Sequence, residues 1–503
     1  MAHSTEPAPQ REAVASRPSP HPDLHNADLA PLAPQERRWG WFPFFNVWSN
    51  DIQSLAGYTL AAGLFVTAGI SGWWVFAAIV LAGLVVNALV NMTGRPAVEH
   101  GVPYPVLARA AMGVRGAQVP AMIRGVVAIF WFGAQTYFAS TAMALALYAL
   151  TGTDADAQPT FLGLTPVDWA GYVVVAVLQL LLFTRGIATI ERFLNVAGPA
   201  VYLVMVALLV AIWVQAGDQL LPAVGSLFAG GQSTGVALVA AFVGVVGTMI
   251  AYFSAVIINF GDFARFSKDQ RSMRVGNFTG LPVSLAFFTV LALFITTGSY
   301  LVFQGGTGEP EVNPAAIVGL VDSTALTVVA ALTFLAATLG INLVANFIPP
   351  AFDLANLSPG HISFRTGGYI TAGVGFVIGA LWVAFIDEVG FPVFVDTLGA
   401  VLAPLFGVLV ADYYVLRRQV LVVDELFSMD PAGRYHYTRG WNVRALVAVA
   451  VAGVFSVSAV WVPALALLSG FAWIIGAVLG AALYLVAMRG RAPQPAAVSA
   501  QAR

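Results

Sequence analysis

The chain has 503 residues, 59% of them hydrophobic and only 10% charged, with a net charge of -2 at neutral pH and no cysteine. Soluble globular proteins carry about 25% charged residues, so lipid is the solvent for most of this chain, and a near-neutral balance without a basic face excludes nucleic acid as a partner. Without cysteine there are no disulfides, thiolate metal sites or thiol nucleophiles; the six scattered histidines show no metal-ligand spacing, and no metal, cofactor or catalytic set is expected.

Residues 1–40, rich in Pro, Ala and charge, lack the short apolar core of a secretory signal peptide and read as a disordered cytoplasmic tail ending near Arg37 and Arg38. A membrane-crossing helix needs about 20 apolar residues. Twelve such stretches follow, at 45–70, 73–93, 120–150, 167–184, 191–214, 235–260, 277–304, 323–348, 366–386, 391–416, 443–462 and 465–488. Residues 489–503 form a second polar tail. Basic residues resist translocation and collect in cytoplasmic loops. With the N-terminus inside, Arg95, Arg109, Arg115, Arg185, Arg265, Lys268, Arg271, Arg274, Arg365, Arg417, Arg418, Arg434 and Arg439 all fall in those loops. The outer loops carry acids instead: Asp154, Asp156, Asp218, Glu309, Glu311, Asp322, Asp387 and Glu388. The alternation predicts a multi-pass protein of a cell (inner) membrane with both termini cytoplasmic and lipid as its surroundings.

Backbone groups left unpaired in hydrocarbon are costly, so a helix is interrupted only where it lines a protein cavity. Span 1 contains the polar run Ser49-Asn50-Asp51-Ile52-Gln53-Ser54 followed by Gly57, and span 6 contains Gly244 and Gly247 ahead of Tyr252 and Phe253. Small and polar residues also serve helix packing. These two spans, however, each lead a set of five, and five-plus-five inverted repeats led by broken helices place a midplane site in many secondary transporters. The first repeat is expected over 41–214 and the second over 235–418, with spans 11 and 12 (440–488) as peripheral additions.

Within span 3, Trp131 and Gln135 stand four residues apart, which sets an indole and a carboxamide one turn apart on one helix face. The indole offers a stacking platform to a flat ring, and the amide offers both a donor and an acceptor to an imide or ureide edge. Span 8 presents Asn342 and Asn346 at the same spacing, where interhelical hydrogen bonding is the competing use.

From Trp48 to about Tyr435 the chain resembles the nucleobase-cation symporter family of hydantoin, allantoin, uracil and cytosine permeases. The likeness is carried by GVPYPVLARAAMGVRGAQVPAMIRGVVAIFWFGAQTYFAS (101–140), NFIPPAFDLANLSP (346–359), VDTLGAVLAPLFGVLVADYYVLRR (395–418) and DELF (424–427). It implies an all-α fold of the leucine-transporter type, with alternating access around a site between spans 1, 3, 6 and 8. It also implies that Trp131, Gln135 and Asn346 bind substrate and that Gln53 and Ser54 lie near it. Phe253 stands where relatives place a second, sandwiching tryptophan, with Tyr252 as the alternative aromatic partner.

Sodium-driven relatives hold their ion between span 1 carbonyls and two adjacent hydroxyls of span 8. Here those hydroxyl positions read Gly340 and Ile341. A hard cation takes about six oxygens, so the carbonyls of Ser49, Ile52 and Ala337 make an incomplete set. Asp51, an ionisable group within a span, suggests a proton in place of sodium. Asp262 and Arg265, one turn apart at the end of span 6, read as an interfacial ion pair; Asp353 and Asp396 stay unassigned. The expected function is proton-coupled import of a planar nucleobase-like ring, with no obligatory protein partner evident. Sodium-coupled symport of the same rings and an amino-acid symporter of the same fold are the alternatives. No catalytic or nucleotide-binding motif points to an enzyme or an ATP-driven pump, and no selectivity-filter motif to a channel.

Overall fold

The computed structural model describes residues 20–229, 231, 233–320, 323–386 and 389–490. Asp322, Asp387, Glu388, residues 1–19 and most of the C-terminal tail therefore lie outside the described residues. Among the described residues the fold is all helix, with no β-strand.

The first five spans are built from α1 (Trp41–Ile52) with α2 (Leu55–Thr67), α3 (Gly72–His100), α5 (Gln118–Thr151), α6 (Pro166–Thr184) and α7 (Ile187–Ala216), with the short α4 (Tyr104–Met112) between the second and third. The helix α8 (Leu220–Ala229) links the halves. The next five are α9 (Gly235–Asn259) with the single turn α10 (Gly261–Ala264); α11 (Gln270–Phe278) with α12 (Ser284–Phe303); α14 (Thr324–Ile341) with α15 (Ile348–Leu357), preceded by the short α13 (Pro314–Gly319); α16 (Phe364–Ala380); and α17 (Phe391–Val410). The last two are α18 (Val443–Trp461) and α19 (Ala472–Ala487). Ten helices among the described residues are long and apolar enough to cross a membrane. The other two of the twelve spans are the broken α1–α2 and the 17-residue α16.

Among the described residues four helix ends are π-helical turns: Thr279–Val283, which contains Pro282, Asn342–Phe347, which is followed by Pro349 and Pro350, Trp382–Ile386 and Ala411–Leu416. Proline lacks an N–H and clashes with the carbonyl four residues back; the first two wide turns fall where that clash would otherwise arise.

The helices form two packed groups. In one, α5 lies along α6, α14, α15 and α16; in the other, α9 lies along α3 and α17, and α1 along α11. The span ends that the charge alternation assigns to one side do meet, on what is here called the basic face. There Arg109 donates to the Leu426 carbonyl and to Asn356 Oδ1, Asn442 donates to the Ala111 carbonyl, and Arg444 to the Ala487 carbonyl.

Three expectations are corrected. The tail over 1–40 is folded in its described part. Leu24 and Leu29 are buried against Val102, Val106, Leu426, Phe427 and Tyr435. The Leu32 amide donates to the Gly101 carbonyl (2.9 Å), and Trp39 Nε1 donates to Glu191 Oε2 (3.0 Å), so the segment forms a strap across the basic face. Span 6 is also unbroken, because α9 runs as regular α-helix through Gly244 and Gly247. A Cβ on Gly247 would sit 1.8 Å from the Gly470 carbonyl oxygen, and one on Gly470 would lie 2.6 Å from Gly244 Cα. These glycines allow close helix approach, with no interruption of the chain. Third, Asp262 and Arg265 bond elsewhere: Asp262 accepts from the Tyr104 amide (2.7 Å) and Asn259 Nδ2 (3.3 Å), while Arg265 donates to the carbonyls of Asp28 and Ala30.

Candidate functional site

The break in span 1 is a built feature. The last turn of α1 closes with the Gln53 amide donating to the Ser49 carbonyl (3.1 Å). Ser54 then caps α2, its hydroxyl accepting from the Gly57 amide (3.1 Å). The Thr338 hydroxyl of α14 accepts from the Leu55 amide (3.1 Å). Gly57 is required here because a Cβ would lie 2.6 Å from the Ile52 carbonyl oxygen and 2.9 Å from that of Asp51.

Around this break the structure gathers Trp131 and Gln135 of α5, Tyr252 of α9 and Asn346 of the π-turn after α14, all buried. Tyr252 meets the Trp131 ring edge-on, with centres 5.5 Å apart and planes at 89°. Its hydroxyl lies 3.1 Å from Ser54 Oγ and 3.2 Å from Asp51 Oδ1. Asp51 is only 5% exposed. Trp131 Nε1 and Gln135 Oε1 are buried with no hydrogen-bond partner in the protein, whereas the buried Gln53 side chain lies beside the Tyr202 hydroxyl of α7 together with Ser49 and Ser284. Native structures leave few such atoms, and those of Trp131 and Gln135 lie one turn apart on the face of α5 that meets Tyr252.

Other predicted residues take different places. Phe253 is fully buried and packs edge-on against Trp48 and Tyr252, at 6.1 and 5.0 Å between ring centres; the span 6 aromatic meeting Trp131 is Tyr252. Asn342 is engaged by the scaffold, with Nδ2 donating to the Phe132 carbonyl and to Thr136 Oγ1, each at 3.1 Å. Its Oδ1 accepts from Asn346 Nδ2 (3.1 Å), so Asn342 orients Asn346. Ser49 and Ile52 of α1 and Ala337, Gly340 and Ile341 of α14 are all buried, with the Ser49 hydroxyl beside Tyr202 of α7. Gly340 faces Asn50, whose Oδ1 would lie 3.1 Å from a Cβ there. The Asn50 amide donates to the carbonyls of Asn46 (2.7 Å) and Leu194 (3.3 Å).

Reasoning from sequence missed Thr338, Asn50 and an aromatic cover over Trp131. Phe394 and Phe391 lie 5.3 and 6.2 Å from the Trp131 ring, and Trp382 lies 5.0 Å from Phe394. The polar run in span 1 already contained Asn50. Nothing local marked the cover, whose members come from spans 9 and 10. Asp396, five residues beyond Phe391 on α17, accepts from Thr248 Oγ1 on α9 (3.3 Å).

Residues 31–476 match the model of the family described as permeases for cytosine/purines, uracil, thiamine and allantoin. The chain belongs to this nucleobase:cation symporter family. It is 31% identical over 478 residues to the allantoin permease of Bacillus subtilis (strain 168), covering 94% of this chain and 95% of that one. It is 29% identical to a purine-uracil permease of Arabidopsis thaliana (87% and 71% covered) and 28% identical to a hydantoin permease of Microbacterium maritypicum (85% and 83%). Among solved structures, Mhp1, a nucleobase-cation-symport-1 family transporter in a closed conformation with bromovinylhydantoin bound, superposes with a TM-score of 0.72 at 24% identity, covering 93% of this chain and 95% of that one. A Na+-coupled sialic acid symporter gives 0.62 at 13% identity, with 92% of each chain covered. The fold is thus of the leucine-transporter type with two additional helices, and the protein is a multi-pass membrane transporter, not an enzyme.

Proposed function

We propose that this permease imports a planar nitrogenous ring of the uracil, allantoin, hydantoin or cytosine class by proton-coupled symport, across a cell (inner) membrane with its basic face cytoplasmic. The observation that carries the reading is the two buried, unpartnered polar atoms Trp131 Nε1 and Gln135 Oε1 on one face of α5, beside the edge-on pair Trp131–Tyr252. A flat ring stacked on the indole presents donors and acceptors around its rim to those atoms. Asn346, oriented by Asn342, supplies a further amide. The relatives' names support the substrate class, and the basic residues gathered on one face support the orientation.

An amino-acid substrate is disfavoured. Its carboxylate would need free amides at a half-helix N-terminus, but at α2 the Leu55 and Gly57 amides already donate to Thr338 and Ser54. For coupling, Asp51 is the acid at the break, its carboxylate in contact with Tyr252. A proton taken up with substrate neutralises Asp51 and lowers the cost of closing the site around it. The span 8 hydroxyl at this level, Thr338, is engaged by the Leu55 amide, and Gly340 and Ile341 bring no side-chain oxygen.

The test is uptake of radiolabelled allantoin, uracil and hydantoin into proteoliposomes with an imposed pH difference, with and without sodium. Accumulation that follows the pH gradient without sodium, and that Asp51→Asn abolishes while binding persists, is expected. Strict sodium dependence with no response to the pH gradient overturns the coupling assignment.

A further inference from the structure

Arg124 lies seven residues before Trp131 on α5, on the same helix face, two turns nearer the basic face. It is fully buried. Its Nε donates to the Ala255 carbonyl (3.0 Å) and to Asn259 Oδ1 (3.1 Å), both on α9. Its Nη2 donates to Asn259 Oδ1 (2.7 Å) and to the Ala345 carbonyl of span 8 (2.8 Å). One guanidinium therefore crosses the seam between the two packed groups, stitching α5 and span 8 to α9. The α9 side is itself anchored, since Asn259 Nδ2 donates to Asp262, which accepts from the Tyr104 amide.

Arg124 has one nitrogen to spare, because Nη1 has no hydrogen-bond partner. Beside it stands an acid in the same condition. Asp353 of α15 is 1% exposed, and neither carboxylate oxygen has a partner in the protein. It packs against α5 at the residue following Arg124, for a Cβ on Gly125 would lie 3.5 Å from Asp353 Cβ and 3.8 Å from Oδ2. Of the charged groups near it, Asp262 repels the carboxylate and Arg124 attracts it. Burying a carboxylate without a hydrogen bond is among the costliest arrangements in a protein, and a fork-shaped guanidinium is its best-matched partner. Both residues sit in the α5–α15 group, on the side of the seam opposite α9.

We propose that Arg124 is a positioning residue of transport: it clasps α9 to keep the basic-face side of the site shut and passes to Asp353 when α9 withdraws. The ion pair then belongs to the state open toward the basic face and stabilises that state, while the bonds to Ala255 and Asn259 stabilise the closed one. A carboxylate that is costly in one state is retained because it is satisfied in the other. The inference rests on the chain being an alternating-access transporter and is independent of which ring or ion it carries.

The chain has no cysteine, so a single reporter can be read without background. Val344→Cys suits the purpose: Val344 is 2% exposed and lines a small gap with Ile348, Phe263, Phe266 and Trp39 on the basic-face side. The measurement is the rate at which a membrane-impermeant maleimide labels Val344→Cys from that side, in full-length protein in proteoliposomes. Asn259→Ala is expected to speed labelling by about fivefold or more, and Asp353→Asn to slow it by a similar factor, because each removes the bonds of one state only. Arg124→Gln removes the bonds of both states and should fall between the two. Asp353 as a purely structural acid predicts the reverse for Asp353→Asn, a loosened seam and faster labelling. That result, or an unchanged rate in Asn259→Ala, overturns the proposal.

Discussion

The Tyr252 hydroxyl of α9 stands 3.2 Å from Asp51 Oδ1 and 3.1 Å from Ser54 Oγ, while the edge of its ring faces Trp131. One side chain thus touches both the proposed proton carrier and the proposed stacking platform. Tyr252→Phe keeps the ring and removes the hydroxyl. Substrate affinity should stay within about threefold, while pH-driven accumulation should fall about tenfold, the size of one hydrogen bond to a charged group. Parallel measurement of binding and accumulation checks this, and lost affinity with intact accumulation per bound substrate would assign the hydroxyl to the substrate instead.

Trp131→Ala and Gln135→Ala should each weaken substrate binding by about 1–3 kcal/mol, roughly tenfold to a hundredfold, through lost stacking or a lost buried hydrogen bond. Membrane levels should be unchanged. Equilibrium binding to purified protein is the measurement, and normal affinity in both variants would remove these residues from the site.

Phe253 behaves differently from the reading as a ring-sandwiching residue. It is fully buried between Trp48 and Tyr252, so Phe253→Trp adds volume to a filled core and should cost about 1–3 kcal/mol. A lowered melting temperature with unchanged preference among rings is expected; a changed preference at full stability would return Phe253 to the site.

Glycine contacts give a paired stability test. Gly247→Ala places a methyl against the Gly470 carbonyl, at 1.8 Å before any relaxation, and should separate α9 from the segment leading into α19, with a clear fall in melting temperature. Gly63→Ala in α2 meets nothing within 4 Å and should be neutral or stabilising by up to about 1 kcal/mol, the helix propensity difference. Equal effects in the two variants would show that helix propensity, not packing, governs both.

The contrast between spans 1 and 6 explains what the sequence could reveal. In span 1, Ser49, Asn50, Gln53 and Ser54 are polar side chains that lipid would reject, so the break announced itself, and Ser54 is indeed its cap. In span 6 the only sign was Gly244 and Gly247, and glycine serves a break and a close contact equally; Gly470, more than 200 residues away, decides between them. The spacing of Trp131 and Gln135 was local and legible. The edge-on approach of Tyr252, the cover formed by Phe391, Phe394 and Trp382, and the Arg124 clasp each join distant spans, and no single stretch of sequence carries them. The strap over residues 20–40 was misread for a related reason: Leu24 and Leu29 are too few to signal a core, and their burial depends on Val102, Val106 and Phe427.

The central claim, that the site between spans 1, 3, 6 and 8 takes a neutral planar ring, is tested most directly by the thermal stability of purified protein against allantoin, hydantoin, uracil, cytosine and, as a contrast, leucine and phenylalanine. A ligand that binds only the native state raises its melting temperature in proportion to RT ln(1 + [L]/Kd). The account predicts that at least one ring raises the melting temperature in a concentration-dependent way, that Trp131→Ala and Gln135→Ala abolish the shift, and that neither amino acid produces one. Stabilisation by leucine or phenylalanine, or a ring-induced shift that survives in both variants, would contradict it.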